Sequence, residues 1–389
     1  MTKPIPTGGG PLRPFNPAFP LRNPHLQTIL ASLKLRARGE NPLRAHSEPV
    51  FVDGGRGIRL LGTRTAQPPG ESRGLAILLH GWEGSSESTY MLTTGRRLFL
   101  GGCDVFRLNL RDHGGSHHLN RGVFHSARIE EVFTAVLNIV AEAGDRPCHL
   151  IGFSLGGNFG LRIALRLRPG QAERLRNIVA VSPVLDPLKA TRAIDGGFFA
   201  YRQYFVKKWK RSLAAKQRLF PGLYDFADVM GLTSCMAITD RVIPRYTPYR
   251  DVHEYFQTYR LAGADFSRLA VPVTILAAED DPVIPVDDFR TLRGGERLRL
   301  GEQAFEGGAC ELRIAGRLGG LAGAPVAGRR VHERLGLGHL EVVLEGLTSF
   351  LRAFGRRPFL YEQVLPSWLN AAYHLSQDVL AGAVLVAGV

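Results

Sequence analysis

Five stretches of the chain are apolar with almost no alternation: Leu75 to Leu79, Val105 to Leu110, His149 to Phe153, Ile178 to Val181 and Val273 to Ala278. A strand with one solvated face alternates polar and apolar residues. A run that does not is covered on both faces, the condition of a parallel sheet flanked by helices. Segments of helical period lie between the runs. In Ser126 to Ala143 the apolar positions Ile129, Val132, Phe133, Val136, Leu137 and Val140 form one stripe, and Tyr90 to Phe99 predicts a second helix. Upstream, Glu48 to Val52 and Ile58 to Arg64 read as strands joined by Asp53-Gly54-Gly55, a hairpin composition that makes them an antiparallel entry to the larger sheet.

The pattern breaks after Asp186 and resumes only at Val271. The interval is dense in aromatic residues, from Phe198, Phe199 and Tyr201 through Trp209 to Tyr255 and Tyr259. Helices packing on one another would bury such residues; an insertion at this point of an α/β sheet also reads as a lid that lines an apolar pocket. Within it, Lys207-Lys208-Trp209-Lys210-Arg211 has the composition of a solvated helical face, with a membrane-surface role as the sharper alternative. Arg290 to Gly338 is rich in glycine and arginine and has no sustained period, whereas Leu340 to Phe354 and Pro358 to Leu380 read as helical. The expected division is an extended, Pro-rich leader with a short helix over 1–46, a first part of the α/β core over 47–186, a helical lid over 187–268, a second core part over 269–355 that includes the Gly/Arg-rich segment, and a helical tail over 356–389.

Composition narrows the class. A 44% hydrophobic and 22% charged chain is ordinarily globular, but its formal charge of +14, mostly arginine, needs a reading. The sequence shows no nucleic-acid motif and no block of like charge long enough to act as a tail. The expectation is therefore no nucleic-acid partner and weak peripheral attraction to an anionic membrane surface. The four cysteines, Cys103, Cys148, Cys235 and Cys310, have neither metal-ligand nor framework spacing, so buried thiols in a reducing, cytoplasmic compartment are expected, with no metal. The N-terminus lacks the apolar core of a signal peptide, and the apolar run Val379 to Val389 is far shorter than the ~20 residues of a membrane span. Nothing in the sequence speaks to oligomeric state.

The stretch that carries chemistry is PCHLIGFSLGGNFG, Pro147 to Gly160, in which Gly152-Phe153-Ser154-Leu155-Gly156 matches G-x-S-x-G. A strand turning sharply into a helix presents the serine at the apex, and glycines on both sides let the two elements close. A serine hydroxyl is a weak nucleophile and needs a base, a carboxylate to orient that base, and donors for the oxyanion. The turn Leu79-His80-Gly81-Trp82-Glu83-Gly84 at the end of the first buried strand places the Trp82 N–H to act with the Leu155 N–H as oxyanion donors. A carboxylate at the carboxyl end of a strand points into the crevice where ligands bind in this architecture, and Glu279-Asp280-Asp281 follows Ala278 on a loop stiffened by Pro282 and Pro285.

Four passages, NPHLQTIL at 23–30, HGWEGSS at 80–86, RLNLRDHGGSHHLNRGVFHSARIEE at 107–131 and IGFSLGGNFG at 151–160, together with RYTPYRDVHEYF at 245–256, make the chain resemble the α/β hydrolases, and more narrowly the YheT-type esterases related to eukaryotic α/β-hydrolase-domain lipases. The resemblance spans about residues 15–290. It implies the α/β-hydrolase fold, a mostly parallel central sheet with helices on both faces and a helical lid, and hydrolysis of a small-molecule acyl ester without metal or organic cofactor. It selects Asp281 over Asp280, because Asp-x-x-x-Pro is the family's phrasing of the acid loop, and it sets the chain order Ser, Asp, His. Arg111, Asp112, His113, His117, His118 and His125 match family positions and read mainly as structural; His113 precedes the serine and is not expected to be the base. The chain departs from the family where a Gly-Gly-His turn should follow the last strand, since Gly307-Gly308-Ala309 stands there. The expected substitute is His339 in Gly336-Leu337-Gly338-His339-Leu340, ahead of His332 and His374. The competing reading is a divergent tail with a surface histidine and a catalytically impaired protein that binds a lipid or a partner through the lid.

Overall fold

The computed structural model describes residues 41–315, except 172, 279, 307 and 308, together with residues 23 and 25. The Gly336 to Leu340 turn, His332, His374, the tail and most of the leader lie outside the described residues. The core is a nine-stranded sheet. In chain order its strands are β1 (Glu48–Asp53), β2 (Arg59–Thr65), β3 (Leu75–Leu79), β4 (Asp104–Leu108), β5 (Cys148–Phe153), β6 (Leu175–Val181), β7 (Val273–Ala278), β8 (Leu298–Glu306) and β9 (Ala309–Ala315). Their spatial order is β1-β2-β4-β3-β5-β6-β7-β8-β9. The first two strands form the expected antiparallel hairpin, with Glu48 opposite Arg64. From β4 through β8 neighbouring strands are parallel.

The non-alternating runs have the physical cause that the sequence suggests. Along β3, Leu75, Ile77 and Leu79 enter one apolar cluster while Ala76 and Leu78 enter another on the opposite face. The first face is covered by α2 (Ile129–Glu142) and α3 (Leu155–Arg166), and the second by α1 (Thr89–Leu100). Of the stripe predicted on α2, Ile129, Val132, Val136 and Val140 are buried, and Phe133 and Leu137 pack against the same cluster half-buried. Helix α2 starts three residues later than the periodicity predicts, because Ser126 and Ala127 are held in a turn, their carbonyls accepting from the Arg162 guanidinium.

Between β6 and β7 the chain leaves the sheet and builds α4 (Pro187–Gly196), α5 (Phe199–Leu219), α6 (Cys235–Tyr246) and α7 (Val252–Tyr259). Asp186, Ser234 and Asp251 cap α4, α6 and α7 with side-chain oxygens. A separate apolar cluster holds this cap together, including Ile194, Val206, Leu213, Phe226, Ile238 and Val242. The stretch after Arg290, read from sequence as aperiodic, instead contributes β8 parallel to β7 and β9 folded back antiparallel on β8, with Glu306 opposite Ala309. Among the described residues no helix is long and apolar enough to cross a membrane.

Candidate active site

Strand β5 ends at Phe153 and α3 begins at Leu155, so Ser154 alone turns the chain. Its backbone lies at φ 52° and ψ −114°, a region that a residue with a Cβ occupies only when its surroundings force it. A Cβ on Gly152 would stand 2.2 Å from the Gly156 carbonyl oxygen, and one on Gly156 2.3 Å from that of Leu79. Only glycine lets strand and helix approach this closely. The Ser154 N–H donates to the Val181 carbonyl at 2.8 Å, and its own carbonyl accepts from the Asn158 N–H at 3.0 Å, which fixes the apex between β6 and α3.

The turn after β3 lies against this apex. A Cβ built on Gly81 would be 3.2 Å from the Ser154 Cβ, so the glycine makes room for the serine. The turn closes through the Gly84 N–H to the Gly81 carbonyl at 2.9 Å, and the Gly81 N–H donates to the Tyr90 hydroxyl at 2.9 Å. Beneath it, buried His80 donates from Nδ1 to the Gly81 carbonyl (2.7 Å) and accepts at Nε2 from the Leu110 N–H (3.0 Å). Both ring nitrogens are committed and burial lowers the pKa to about 4, so His80 is a neutral buttress of the turn. Among the described residues no acceptor bonds the Trp82 or Leu155 N–H.

Asp281 stands just past the carboxyl end of β7. Its Oδ1 accepts from the Val283 N–H (2.9 Å) and the Ile284 N–H (3.0 Å), the loop folding around the carboxylate. Burial pushes its pKa up; the two N–H groups and the Ser182 hydroxyl, which also bonds the carboxylate, pull it back. Ser182 is a contact that sequence reasoning missed. It follows β6 directly, at φ 42°, its N–H bonded to the Leu276 carbonyl of β7 at 2.7 Å. Asp280 has no such cradle, and burial alone drives its upward shift.

Where a Gly-Gly-His turn was expected, Ala309 opens β9 directly opposite Glu306. His339 lies outside the described residues. The family-position histidines are engaged elsewhere: His113 Nδ1 donates to the Arg111 carbonyl (2.7 Å), His117 Nε2 pairs with the Ser212 hydroxyl (2.9 Å), and His125 packs its ring edge-on against Tyr249 and Tyr255. Among the described residues no histidine is hydrogen-bonded to Ser154 or Asp281. Arg111 forms a paired contact with Glu131 and donates to the Gly122 carbonyl, anchoring the loop that carries these histidines. Among the described residues no group of three or more His, Cys, Asp or Glu side chains is placed to hold a metal ion.

A family model described as the alpha/beta hydrolase fold matches residues 76–219, a span that holds the β3 turn, the serine elbow and the first cap helices. The chain has the α/β-hydrolase fold. The chain is similar to YheT of Escherichia coli K12, a protein that carries the name of an esterase: 26% identity over 275 residues, 69% of this chain and 78% of YheT. Among solved structures it is similar to an esterase of Pyrococcus furiosus (15% identity, TM-score 0.41, covering 68% of this chain and 86% of the other). A serine hydrolase of Cycloclasticus zankles matches at 15% identity and TM-score 0.43 over 66% of this chain and 89% of the other.

The cap is seated on both loops of the site, since its apolar cluster takes in Trp82 from the β3 turn and Val283 from the Asp281 loop. Trp82 stacks on Phe205 with centroids 5.1 Å apart and planes 9° from parallel, and Trp209 meets it edge-on at 5.1 Å. Farther along α5, Lys216 is fully buried; its ammonium bonds Asp112 Oδ1 at 2.8 Å and the His117 and Asn120 carbonyls. Asp112, buried at φ 58°, spends its other oxygen on the Phe124 N–H (2.7 Å). The basic run 207–211 is thus only partly the solvated face read from sequence: Lys208 bonds the Glu83 carbonyl and Trp209 packs inward.

Proposed function

We propose that this protein is a serine hydrolase cleaving carboxylic esters of acyl chains, short-chain or lipid-like, without a cofactor. The Ser154 hydroxyl attacks the ester carbonyl while a histidine, for which His339 is the candidate, takes its proton. Asp281 holds that histidine oriented, and the Trp82 and Leu155 N–H groups receive the oxyanion. Collapse expels the alcohol, which leaves with the proton from the histidine, and water releases the acid from the acyl-serine by the same route. The observation that carries this reading is Ser154 itself, held at φ 52° at the head of α3 with the Gly81 turn against its Cβ. The esterase name of YheT supports the same class of reaction.

A second reading is favoured by one residue, Ala309 at the hairpin where the family's histidine is expected: a hydrolase fold that has lost its base and binds a lipid or a partner. Turnover of a short-chain p-nitrophenyl ester separates the two. The esterase reading requires hydrolysis by the full chain that disappears in Ser154→Ala. Absence of turnover in the folded wild-type protein would favour the binding role.

A further inference from the structure

The inward face of α5 carries polar residues where a cap helix is ordinarily apolar. Phe205, Lys208, Trp209, Ser212 and Lys216 recur at i, i+3, i+4, i+7 and i+11, one stripe of a helix, and each meets a core loop. Two of them flank the β3 turn. Phe205 and Trp209 enclose the Trp82 indole, and between them the Lys208 ammonium donates to the Glu83 carbonyl at 2.7 Å, lying 5.0 Å from the Tyr204 ring centroid.

Glu83 sits at φ 55°, left-handed for a residue with a Cβ, and such a backbone persists only where its surroundings over-determine it. We infer that Lys208 is a positioning residue for the oxyanion turn. By taking the Glu83 carbonyl it holds that left-handed conformation and the adjoining Trp82–Glu83 peptide, and thereby the turn in which the Trp82 N–H sits one residue back. The inference rests on the reading of Ser154 as nucleophile for its catalytic consequence, but not for the structural one. A cap helix attached in this way does two jobs: it covers the site, and it sets the geometry of the oxyanion donor that the core alone would leave strained. The buried Lys216–Asp112 pair, two turns along the same face, keeps α5 from sliding off.

Lys210 supplies the control. It belongs to the same helix and also donates to a carbonyl, that of Met230 at 2.7 Å, but that carbonyl lies within the cap rather than on the oxyanion turn. The experiment uses the full chain and two readouts. Amide hydrogen exchange across residues 80–86 is expected to quicken in Lys208→Met and not in Lys210→Met, with Lys208→Arg recovering most of the protection. With a p-nitrophenyl ester, kcat per phosphonylatable serine is expected to fall roughly ten- to a hundredfold in Lys208→Met with KM within about twofold, since a displaced donor loses transition-state stabilisation rather than binding. Lys208→Gln, polar but too short to reach the carbonyl, gives the same pattern if the methionine variant does not fold. Equal exchange over 80–86 in Lys208→Met and Lys210→Met overturns the inference whether or not the protein hydrolyses esters. Faster exchange with unchanged kcat in an active enzyme overturns it as well. A wild type without turnover defeats the esterase reading alone, and the exchange comparison then decides the role of Lys208.

Discussion

Glu83 offers a quantitative test of the turn after β3. Its carboxyl is buried, 9% exposed, with Oε1 4.0 Å from His113 Nε2, a nitrogen that has no hydrogen-bond partner among the described residues. Burial raises the Glu83 pKa from its ordinary 4.5 to about 7; the Lys208 ammonium opposes the rise and the Asp112 carboxylate adds to it. The folded chain therefore holds this proton more tightly than the unfolded chain. Below pH 4.5 the group is protonated in both states and costs nothing. As pH rises from 4.5 towards 7 the unfolded state alone gains by ionising, so folded stability falls, and above 7 the loss is complete. One pKa unit corresponds to about 1.4 kcal/mol, which puts the full loss on the order of 3 kcal/mol. Glu83→Gln cannot ionise, so its stability relative to wild type should rise by about that amount between pH 4.5 and pH 8, with titrations uncoupled from Glu83 cancelling in the difference. Urea unfolding midpoints of the two proteins at four or five pH values measure it. Parallel pH profiles would refute the argument, because they would mean that Glu83 titrates alike in the folded and unfolded chains.

Two further outcomes follow from contacts already described. Lys216→Met should cost about 3–5 kcal/mol in urea unfolding by stranding the Asp112 carboxylate, and the double variant Lys216→Met/Asp112→Asn should recover much of the loss. Gly156→Ala places a Cβ 2.3 Å from the Leu79 carbonyl oxygen, and should destabilise the fold by more than about 4 kcal/mol, read as loss of soluble, cooperatively unfolding protein.

The parts of the fold that the sequence discloses are those whose physics is local. Unalternating runs such as Leu75–Leu79 report two covered faces, and glycines at 152 and 156 report a backbone approach that excludes any side chain. Contacts made across the chain leave weaker traces. Lys216 and Asp112 are 104 residues apart, and nothing in Ala214-Ala215-Lys216-Gln217 distinguishes a buried lysine from a solvated one. The signal that was available is the helical spacing of Phe205, Lys208, Trp209, Ser212 and Lys216, which becomes a face only once α5 is known to lie on the core. Strand β8 was missed for a different reason: Leu298-Arg299-Leu300-Gly301-Glu302-Gln303 mixes charge and glycine into the run, unlike the covered central strands, and pairing with β7 overrides that weak local preference. The serine elbow and the turn after β3 left a trace because their close approach demands glycine at 81, 152 and 156, whereas Asp281 was picked out through the family resemblance. The base is legible only as a gap, with alanine at 309 and a candidate in His339.

The most direct test of the account is a fluorophosphonate reaction followed by intact-mass and peptide analysis. The reagent needs an activated serine and an oxyanion site, not a known substrate. One phosphonyl adduct is expected, located on Ser154 and absent from Ser154→Ala, forming at least about a thousandfold more slowly in His339→Ala. A folded wild-type chain that remains unmodified at Ser154 would contradict it.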